Sequence, residues 1–208
     1  MEILDALNWR NATKRFSDKK LNEDQVKVLL EAIRLSPTSY GLQAFKTVLV
    51  KNEKLREQIR EVAYGQSQVT EASHLLILCS QTDIDETEVD SYKSLIMKER
   101  EMAAEDVDSF INTIKQTVNN LDSVTKQVWL SRQVYLSLGV LLSAAAVEGI
   151  DACPMEGFDK EKVDQILDLP AHGLNSLVLI PVGYRHPDDF YPKLKKVRKP
   201  LEEMVIYK

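Results

Sequence analysis

The amino-acid sequence predicts an α+β fold. Segments with helical periodicity cover most of the chain, and the segments that read as strands are few and widely separated. They show no regular alternation of strand, helix and strand, which a doubly wound parallel sheet would require. The 208 residues are 44% hydrophobic and 28% charged, so we expect one globular domain over residues 1–208.

Three helices and one strand are predicted in the first sixty residues. Ile3, Leu4 and Leu7 have the apolar spacing of a short opening helix, which the polar segment "NWRNATKR" ends. A second helix begins at Asn22, which forms a capping-box pattern with Gln25, and it ends at Ser36 and Pro37. The segment "PTSYGLQ" then reads as a loop, and "FKTVLVK" alternates like a strand. A third helix is marked by apolar positions in residues 55–62.

The middle of the chain combines one strand with a long helical region. "HLLILCS" is a continuous apolar run, which predicts a strand buried on both faces. From Asp83 to Asp122 the pattern is helical and polar, and ten acidic residues face three basic ones between Asp83 and Asp108. We therefore expect residues 83–122 to form a protruding helical excursion on the surface.

An apolar helix is predicted from about Val124 to Glu148, with Gly149 as its closing residue. Its uncharged run, Val134 to Val147, is shorter than the roughly 20 residues that span a bilayer, so we expect a helix buried in protein. A turn, "DACPMEGFD", follows it. "DKEKVDQILDL" then predicts a helix and "NSLVLIPVGY" a second buried strand, before a tail that is basic first and apolar at its end.

Composition narrows the function. A net charge of −5 argues against nucleic acid as the main partner. The start, "MEILDALNWR", is acidic and amphipathic and does not resemble a signal sequence. Cys79 and Cys153 lie far apart in apolar surroundings, which suits a reducing compartment. We therefore expect a cytoplasmic protein that neither binds nucleic acid nor enters a membrane.

Several catalytic chemistries are excluded by spacing. No two of the seven glycines are closer than eight residues, so neither a dinucleotide fingerprint nor a P-loop can be built. The three histidines are scattered and no cluster has metal-ligand spacing, so no metal site is expected. His74 opens a buried strand, which favours a structural histidine over a ligand. An enzyme with this sequence would take its reactive group from an organic cofactor.

Positive charge gathers near both ends of this acidic chain. Arg10, Lys14 and Arg15 fall within six residues, and five lysines and arginines fall within Lys193–Lys199. Each cluster alone fits a solvated surface. Together they also fit a phosphate monoester, which needs only a few cations that meet from different segments.

Five segments, in this order, resemble the nitroreductase family of FMN-dependent NAD(P)H oxidoreductases: "NWRNATKRF", "PTSYGLQAF", "QVTEASHLLIL", "PMEGFD" and "KLKKVRKP". The sequence looks most like the branch of oxygen-insensitive NAD(P)H nitroreductases and dihydropteridine reductases. The resemblance covers nearly the whole chain and is weakest across residues 83–122. It implies a central, mostly antiparallel sheet flanked by helices, in an intertwined homodimer with shared active sites.

The resemblance also implies residue roles. Arg10 would bind the FMN phosphate together with Lys196 and Arg198, and Lys14 would lie at the N1–C2=O edge of the flavin, where a cation stabilises the reduced ring. The peptide N–H of Glu156 would approach flavin N5, which makes Lys14 and Glu156 the candidate catalytic residues. The full set implied to bind the cofactor is Arg10, Asn11, Ala12, Lys14, Pro37, Thr38, Ser39, Gly41, Gln68, Pro154, Met155, Glu156, Gly157, Lys196 and Arg198.

Other implied features concern the acceptor and the dimer. Pro37, Thr38 and Ser39 match a loop that serves the flavin of the other subunit. Tyr40 and Tyr64 lie near positions that line the substrate side, and core packing is an equal alternative for Tyr64. The apolar helix would lie at the centre of the dimer interface, and the end "EMVIYK" would pack onto the partner.

Four positions depart from the family pattern. Ala12 stands where many relatives carry serine, and Gly41 where asparagine is common. Gly65 and Gln68 replace asparagine and lysine of the best-known close relatives. Because Gln68 is neutral, we expect a less positive site near N1 and a flavin that is harder to reduce.

The resemblance implies a ping-pong reaction, in which NAD(P)H reduces FMN at N5 and an acceptor is then reduced in the same pocket. Nitroaromatics, quinones and oxidised dihydropteridines are the implied acceptors. Three alternatives stay open at this stage: a flavin reductase on the same fold, a non-catalytic FMN-binding protein, and a helical protein that binds other anions or nucleic acid.

Overall fold

A computed structural model describes all 208 residues. The chain forms nine α-helices and four β-strands. In chain order they are α1 Ile3–Trp9, α2 Glu23–Arg34, β1 Phe45–Val50, α3 Glu53–Val62, α4 Gln68–Glu71, β2 His74–Gln81, α5 Glu86–Arg100, α6 Ala104–Asn119, α7 Ser123–Val147, β3 Asp151–Ala152, α8 Lys160–Ile166, β4 Leu174–Gly183 and α9 Leu201–Met204.

The four strands form one antiparallel sheet in the order β1-β2-β4-β3, which confirms the predicted α+β class. β2 is buried on both faces, as its apolar run predicts. Leu76 and Leu78 point into the core beneath α2 and α7, whereas Leu75, Ile77 and Cys79 point into the core beneath α3 and α8. The sheet is therefore covered on both sides, and its ends carry the loops of the candidate site.

The predicted start of α2 is confirmed in detail. The Asn22 side chain accepts a hydrogen bond from the Gln25 N–H at 2.9 Å, and the Gln25 side chain accepts one from the Asn22 N–H at 3.1 Å. This capping box satisfies donors that the first turn of a helix leaves without partners.

Helix α7 is only partly covered within one chain. Its inner face packs on α2 and the sheet, and Val134 and Leu141 are fully buried there. Val124 and Leu136 on its other face are 72% and 50% exposed. Within a single chain the expected burial is therefore seen on one face only, and the place of this helix at the centre of a dimer interface stays a prediction. By length and composition α7 could cross a membrane, a test that core helices of globular proteins also pass.

Residues 83–122 contain two antiparallel helices, α5 and α6, with a hydrophobic cluster of their own. Ile96, Ile111 and Ile114 belong to this cluster, which Leu130 of α7 completes. Two ion pairs, Lys93–Asp108 and Lys115–Asp90, join the helices on the outside. The sequence pattern did not predict this hydrophobic cluster, because acidic residues dominate the composition of the segment. We refer to α5 and α6 as the helical hairpin.

Two short elements that periodicity did not predict shape the candidate site. Helix α4 has only four residues, and β3 has only two. β3 pairs with the end of β4, and a parallel bridge joins Ala12 to Ala152. A further bridge joins Met155 to Leu179. These contacts bring the N-terminal basic loop and the "PMEGF" turn to the same edge of the sheet.

Candidate functional site

The two basic segments meet at one cavity of about 380 Å³. One wall comes from the loop after α1 and the other from the tail after β4, although more than 170 residues separate them. The lining residues are Arg10, Asn11, Ala12, Lys14, Tyr191, Leu194, Lys195, Lys196, Val197 and Arg198. The structure thus brings together the six residues of these segments that the resemblance assigns to the cofactor.

The cations of this cavity repel one another and lack acidic partners. The pKa of Arg10 is lowered by burial and then by the charge of Arg198. The pKa of Lys196 is lowered by burial and then by the charges of Arg10 and Arg198. No ion pair of the chain involves any of these three residues or Lys14. Such a cavity fits a phosphate dianion, which would supply the missing negative charge.

Hydrogen bonds to backbone groups hold the two walls in place. Lys196 Nζ donates to the carbonyl oxygens of Leu7 and Arg10, the latter at 2.6 Å, and thereby caps the end of α1. The carboxylate of Asp189, which is 3% exposed, accepts from the N–H groups of Lys14 at 2.9 Å and Tyr191 at 3.2 Å. Asp189 therefore joins the N-terminal loop to the tail.

A second buried carboxylate, Asp151 of β3, fixes the loop from the other side. It accepts from Thr13 Oγ1 at 3.0 Å and forms an ion pair with Arg185 at 2.7 Å. The Arg185 guanidinium also stacks on the Trp9 ring, with its carbon 4.2 Å from the ring centroid. This network satisfies a charge that would otherwise be costly to bury.

Lys14 and Gln68 approach the same sulfur atom. Lys14 Nζ lies 3.6 Å from Cys153 Sγ. Burial raises the pKa of the Cys153 thiol, whereas the nearby Lys14 and Gln68 side chains lower it by a smaller amount. Cys153 is therefore a neutral thiol near neutral pH, and Lys14 and Gln68, both predicted near flavin N1, lie close to the same sulfur atom.

The "PMEGF" turn is pinned at its start and open at its tip. Cys153 N–H donates to the Pro181 carbonyl at 3.1 Å, and Met155 exchanges two backbone hydrogen bonds with Leu179. The N–H groups of Glu156 and Gly157 have no acceptor in the chain. Two successive free donors at an exposed turn form a place where a ligand acceptor can bind.

Gln66 supports this turn, although no sequence motif marks it. Its Nε2 donates to the Gly157 carbonyl at 2.9 Å and to the Ala63 carbonyl at 3.0 Å, and its Oε1 accepts from Gln68 Nε2 at 3.3 Å. A Cβ built on Gly157 would come no closer than 3.7 Å to its neighbours. The glycine therefore leaves an open face above the turn and relieves no internal clash.

The side chain of Glu156 is directed toward α7. Burial raises the pKa of the Tyr135 phenol to about 12, and hydrogen bonding to Glu156 contributes to the shift. The Tyr135 phenol of α7 thus lies near the Glu156 carboxylate, and the peptide N–H of Glu156 has no acceptor in the chain.

The loop with Pro37, Thr38 and Ser39 does not reach the basic cavity within one chain. Ser39 N–H donates to the buried Gln133 Oε1 of α7 at 2.7 Å, and Ser39 shares a separate cavity with Trp129 and Tyr135. The structure of one chain therefore places the loop apart from Arg10 and Lys14.

The two candidate substrate tyrosines lie at different places. Tyr64 is 75% exposed with φ +57°, so its core-packing alternative is wrong, and its ring lies beside Gly157. Tyr40, also at φ +57°, contacts the helical hairpin. His74 is half-buried and bonded to Ser73 Oγ at 3.0 Å, as expected of a structural histidine.

Sequence reasoning missed three residues that shape the site, namely Gln66, Asp151 and Asp189. The single signal that could have found one of them is the charge of Asp151, which directly follows an apolar helix. Gln66 and Asp189 each act on the site through a backbone group that is distant in sequence, Gly157 and Lys14 respectively, and no local pattern predicts such contacts.

Comparison with known proteins agrees with this geometry. A sequence model of the nitroreductase family matches residues 7–184. The chain is 35% identical over 216 aligned positions to YfkO of Bacillus subtilis (strain 168), provisionally assigned as an NAD(P)H nitroreductase, with 98% of this chain and 96% of that protein covered. A Staphylococcus haemolyticus protein with the same provisional assignment is 34% identical over 98% of this chain and 95% of its own length. The chain belongs to the nitroreductase family.

Solved structures show the same fold at lower identity. The crystal structure of the B. subtilis protein ydfN, provisionally assigned as a nitroreductase, has a TM-score of 0.89 at 23% identity and covers 100% of this chain and 99% of its own. A provisionally assigned nitroreductase from Exiguobacterium sibiricum, solved in complex with FMN, has a TM-score of 0.85 at 18% identity, with 100% and 98% covered.

Proposed function

We propose that this protein is a cytoplasmic, homodimeric, FMN-dependent NAD(P)H oxidoreductase. Its acceptors are nitroaromatics, quinones and oxidised dihydropteridines, which react in a ping-pong order. The observation that carries the proposal is the cavity of unpaired cations next to a turn with two free peptide N–H groups. Together these features match a ligand with a phosphate at one end and a hydrogen-bond acceptor at the other.

The chain supplies binding, orientation and electrostatics in this proposal. Arg10, Lys196 and Arg198 bind the phosphate, and Lys14 with Gln68 contacts the pyrimidine edge. The peptide N–H of Glu156 would donate to an acceptor atom of the ring, and FMN would supply the hydride chemistry when bound. The cation of Lys14 would favour negative charge at this edge.

No side chain has to act as a nucleophile. The raised pKa of Cys153 keeps its sulfur protonated, and its zero exposure keeps it away from substrate. Acceptors instead meet the open face of the turn beside Gly157 and Tyr64.

Two features support a dimer with shared sites. The Pro37–Ser39 loop lies apart from the basic cavity of its own chain, as a loop that serves a second subunit must. The outer face of α7 leaves Val124 and Leu136 exposed, and the tail leaves Ile206 and Tyr207 more than 80% exposed. A partner subunit would cover these apolar residues.

The test is an absorption spectrum of the purified protein with FMN, recorded before and after anaerobic addition of NADH or NADPH. The proposal expects a protein-bound flavin that bleaches with at least one nucleotide and recovers with menadione. A bound flavin that no nucleotide bleaches would indicate a binding protein. Release of reduced flavin during turnover, measured by rapid filtration, would favour a flavin reductase. Failure to bind FMN would refute the proposal.

A further inference from the structure

The loop between α2 and β1 contains an unusual run of backbone conformations. Tyr40 and Gln43 have φ of +57° and +50°, and Gly41 has φ +78°. A bulky residue such as tyrosine rarely adopts the left-handed region, and such a conformation persists only when its surroundings hold it.

Three contacts from the helical hairpin hold Tyr40 in this conformation. The Tyr92 hydroxyl of α5 donates to the Tyr40 carbonyl at 2.7 Å. The Tyr40 hydroxyl and Thr117 Oγ1 of α6 are 3.2 Å apart, and the Tyr40 and Phe110 rings meet edge to face with centroids 6.1 Å apart. The hairpin and the loop are thereby joined through one residue.

Gly41 makes the Tyr92 contact sterically feasible. A Cβ built on Gly41 would lie 2.5 Å from the Tyr92 hydroxyl oxygen and 3.3 Å from its ring carbon Cζ. The first distance is too short for any side chain, so the Tyr92 hydroxyl occupies the space that a side chain at position 41 would need. Glycine at position 41, where asparagine is common in relatives, therefore leaves the space that the Tyr92 hydroxyl of the hairpin fills.

We propose that Tyr92 is a positioning residue that sets acceptor specificity. Through the Tyr40 carbonyl it fixes the ring of Tyr40 against Phe110, and these two residues remain 37% and 41% exposed. They present an aromatic wall, which favours flat, electron-poor aromatic acceptors over compact ions because aromatic rings pack well edge to face. This inference rests on the proposed function, in which the loop serves the site of the partner subunit.

The part of the loop that would contact flavin is held independently. Ser39 N–H is bound by Gln133 of α7, and Thr38 Oγ1 accepts from the Gln43 N–H at 3.1 Å. Loss of the Tyr92 hydroxyl therefore changes the acceptor side of the loop and leaves flavin affinity unchanged.

The first experiment compares Tyr92→Phe with wild type in the FMN-loaded protein. Menadione serves as a flat acceptor and ferricyanide as a compact ion. We expect the KM for menadione to rise about fivefold, the ratio that loss of one neutral hydrogen bond produces. The KM for ferricyanide and the Kd for FMN should stay within about twofold. Tyr184→Phe is the matched control, since it removes a hydroxyl bonded to Gln25 away from the hairpin.

Two results would overturn the inference: an unchanged KM for menadione, or equal shifts for menadione and ferricyanide. A wild-type protein that oxidises NAD(P)H with neither acceptor would instead refute the proposed function, and the acceptor role of Tyr92 with it.

A double-mutant cycle tests the Gly41–Tyr92 contact without activity. Gly41→Ala introduces a methyl group against the Tyr92 hydroxyl, and Tyr92→Phe removes that oxygen. We expect Gly41→Ala to lower the thermal midpoint less in the Tyr92→Phe background than in wild type. Additive shifts would show that the two positions do not interact, which would refute the inference.

Discussion

Replacement of Arg10 by glutamine tests the basic cavity most directly, because binding and stability should respond in opposite directions. In the flavin-free chain, burial and then the charge of Arg198 lower the pKa of the Arg10 guanidinium. Removal of this cation relieves its repulsion with Arg198. We therefore expect the flavin-free Arg10→Gln protein to be at least as stable as wild type.

Flavin binding should weaken strongly in the same variant. A hydrogen bond to a charged group contributes about 1.5–3 kcal/mol, so loss of the Arg10–phosphate contact should raise the Kd for FMN roughly 10- to 150-fold. At an FMN concentration of about 100 times the wild-type Kd, the ligand stabilises the wild-type protein by about 2.7 kcal/mol. With a Kd raised about 30-fold, the same concentration stabilises Arg10→Gln by only about 0.9 kcal/mol.

Flavin fluorescence titration measures the Kd, and thermal unfolding with and without FMN measures stability. Arg15→Gln is the matched control. Arg15 forms an exposed ion pair with Glu71 at 3.1 Å, and its loss should cost at most about 1 kcal/mol and leave the Kd unchanged. An Arg10→Gln protein that binds FMN as tightly as wild type, or that loses stability without ligand, would refute this reasoning.

Four further predictions follow from the same geometry. Gln68→Lys should raise the midpoint potential of bound FMN by about 30 mV in a redox titration, since about 1.4 kcal/mol corresponds to 30 mV for two electrons; an equal or lower potential would contradict it. Deletion of 202–208 should weaken the dimer and release flavin, as light scattering and absorbance would show, and a truncated protein that stays dimeric and yellow would count against it. Gln66→Ala, which removes a support of the Gly157 carbonyl, should raise the FMN Kd about fivefold in the same titration, and an unchanged Kd would argue against this role. Burial, with nearby cations, lowers the pKa of His74, so the unfolded chain binds more protons than the folded chain below about pH 6.5. The free energy of unfolding should therefore fall as the pH decreases below that value. Chemical denaturation of His74→Gln should show a smaller decrease.

Local sequence patterns predicted most helices and strands, because capping residues and apolar periodicity lie within a few residues of one another. The capping box at Asn22 and the doubly buried strand β2 illustrate this. The hydrophobic cluster of the helical hairpin was not predicted, because its few isoleucines are separated by many acidic residues in the sequence. The sequence of α7 is apolar on most faces, and one chain covers only one side of it, so the cover of its outer face depends on a partner that a single chain does not show.

The candidate site was predictable only where its residues belong to motifs. Arg10 and Lys196 were found in this way, and the structure places both at one cavity. The contact between Tyr92 and Tyr40 joins residues 52 positions apart, in a segment where the family resemblance is weakest. The Tyr92 hydroxyl fills the space beside Gly41, and neither periodicity, charge nor motif spacing predicts such a contact.

The buried carboxylates near the cavity explain how an acidic chain keeps these cations unpaired. Asp189 directs its oxygens to the N–H groups of Lys14 and Tyr191, and Asp151 is neutralised by Arg185. Both carboxylates therefore shape the loops without forming an ion pair with Arg10 or the other cations of the cavity. Because the two carboxylates are bound by N–H groups and by Arg185, they fix the shape of the loops without reducing the positive charge of the cavity. The positive potential stays uncompensated until an anionic ligand enters, and the repulsion that it causes in the empty cavity then becomes attraction for that ligand.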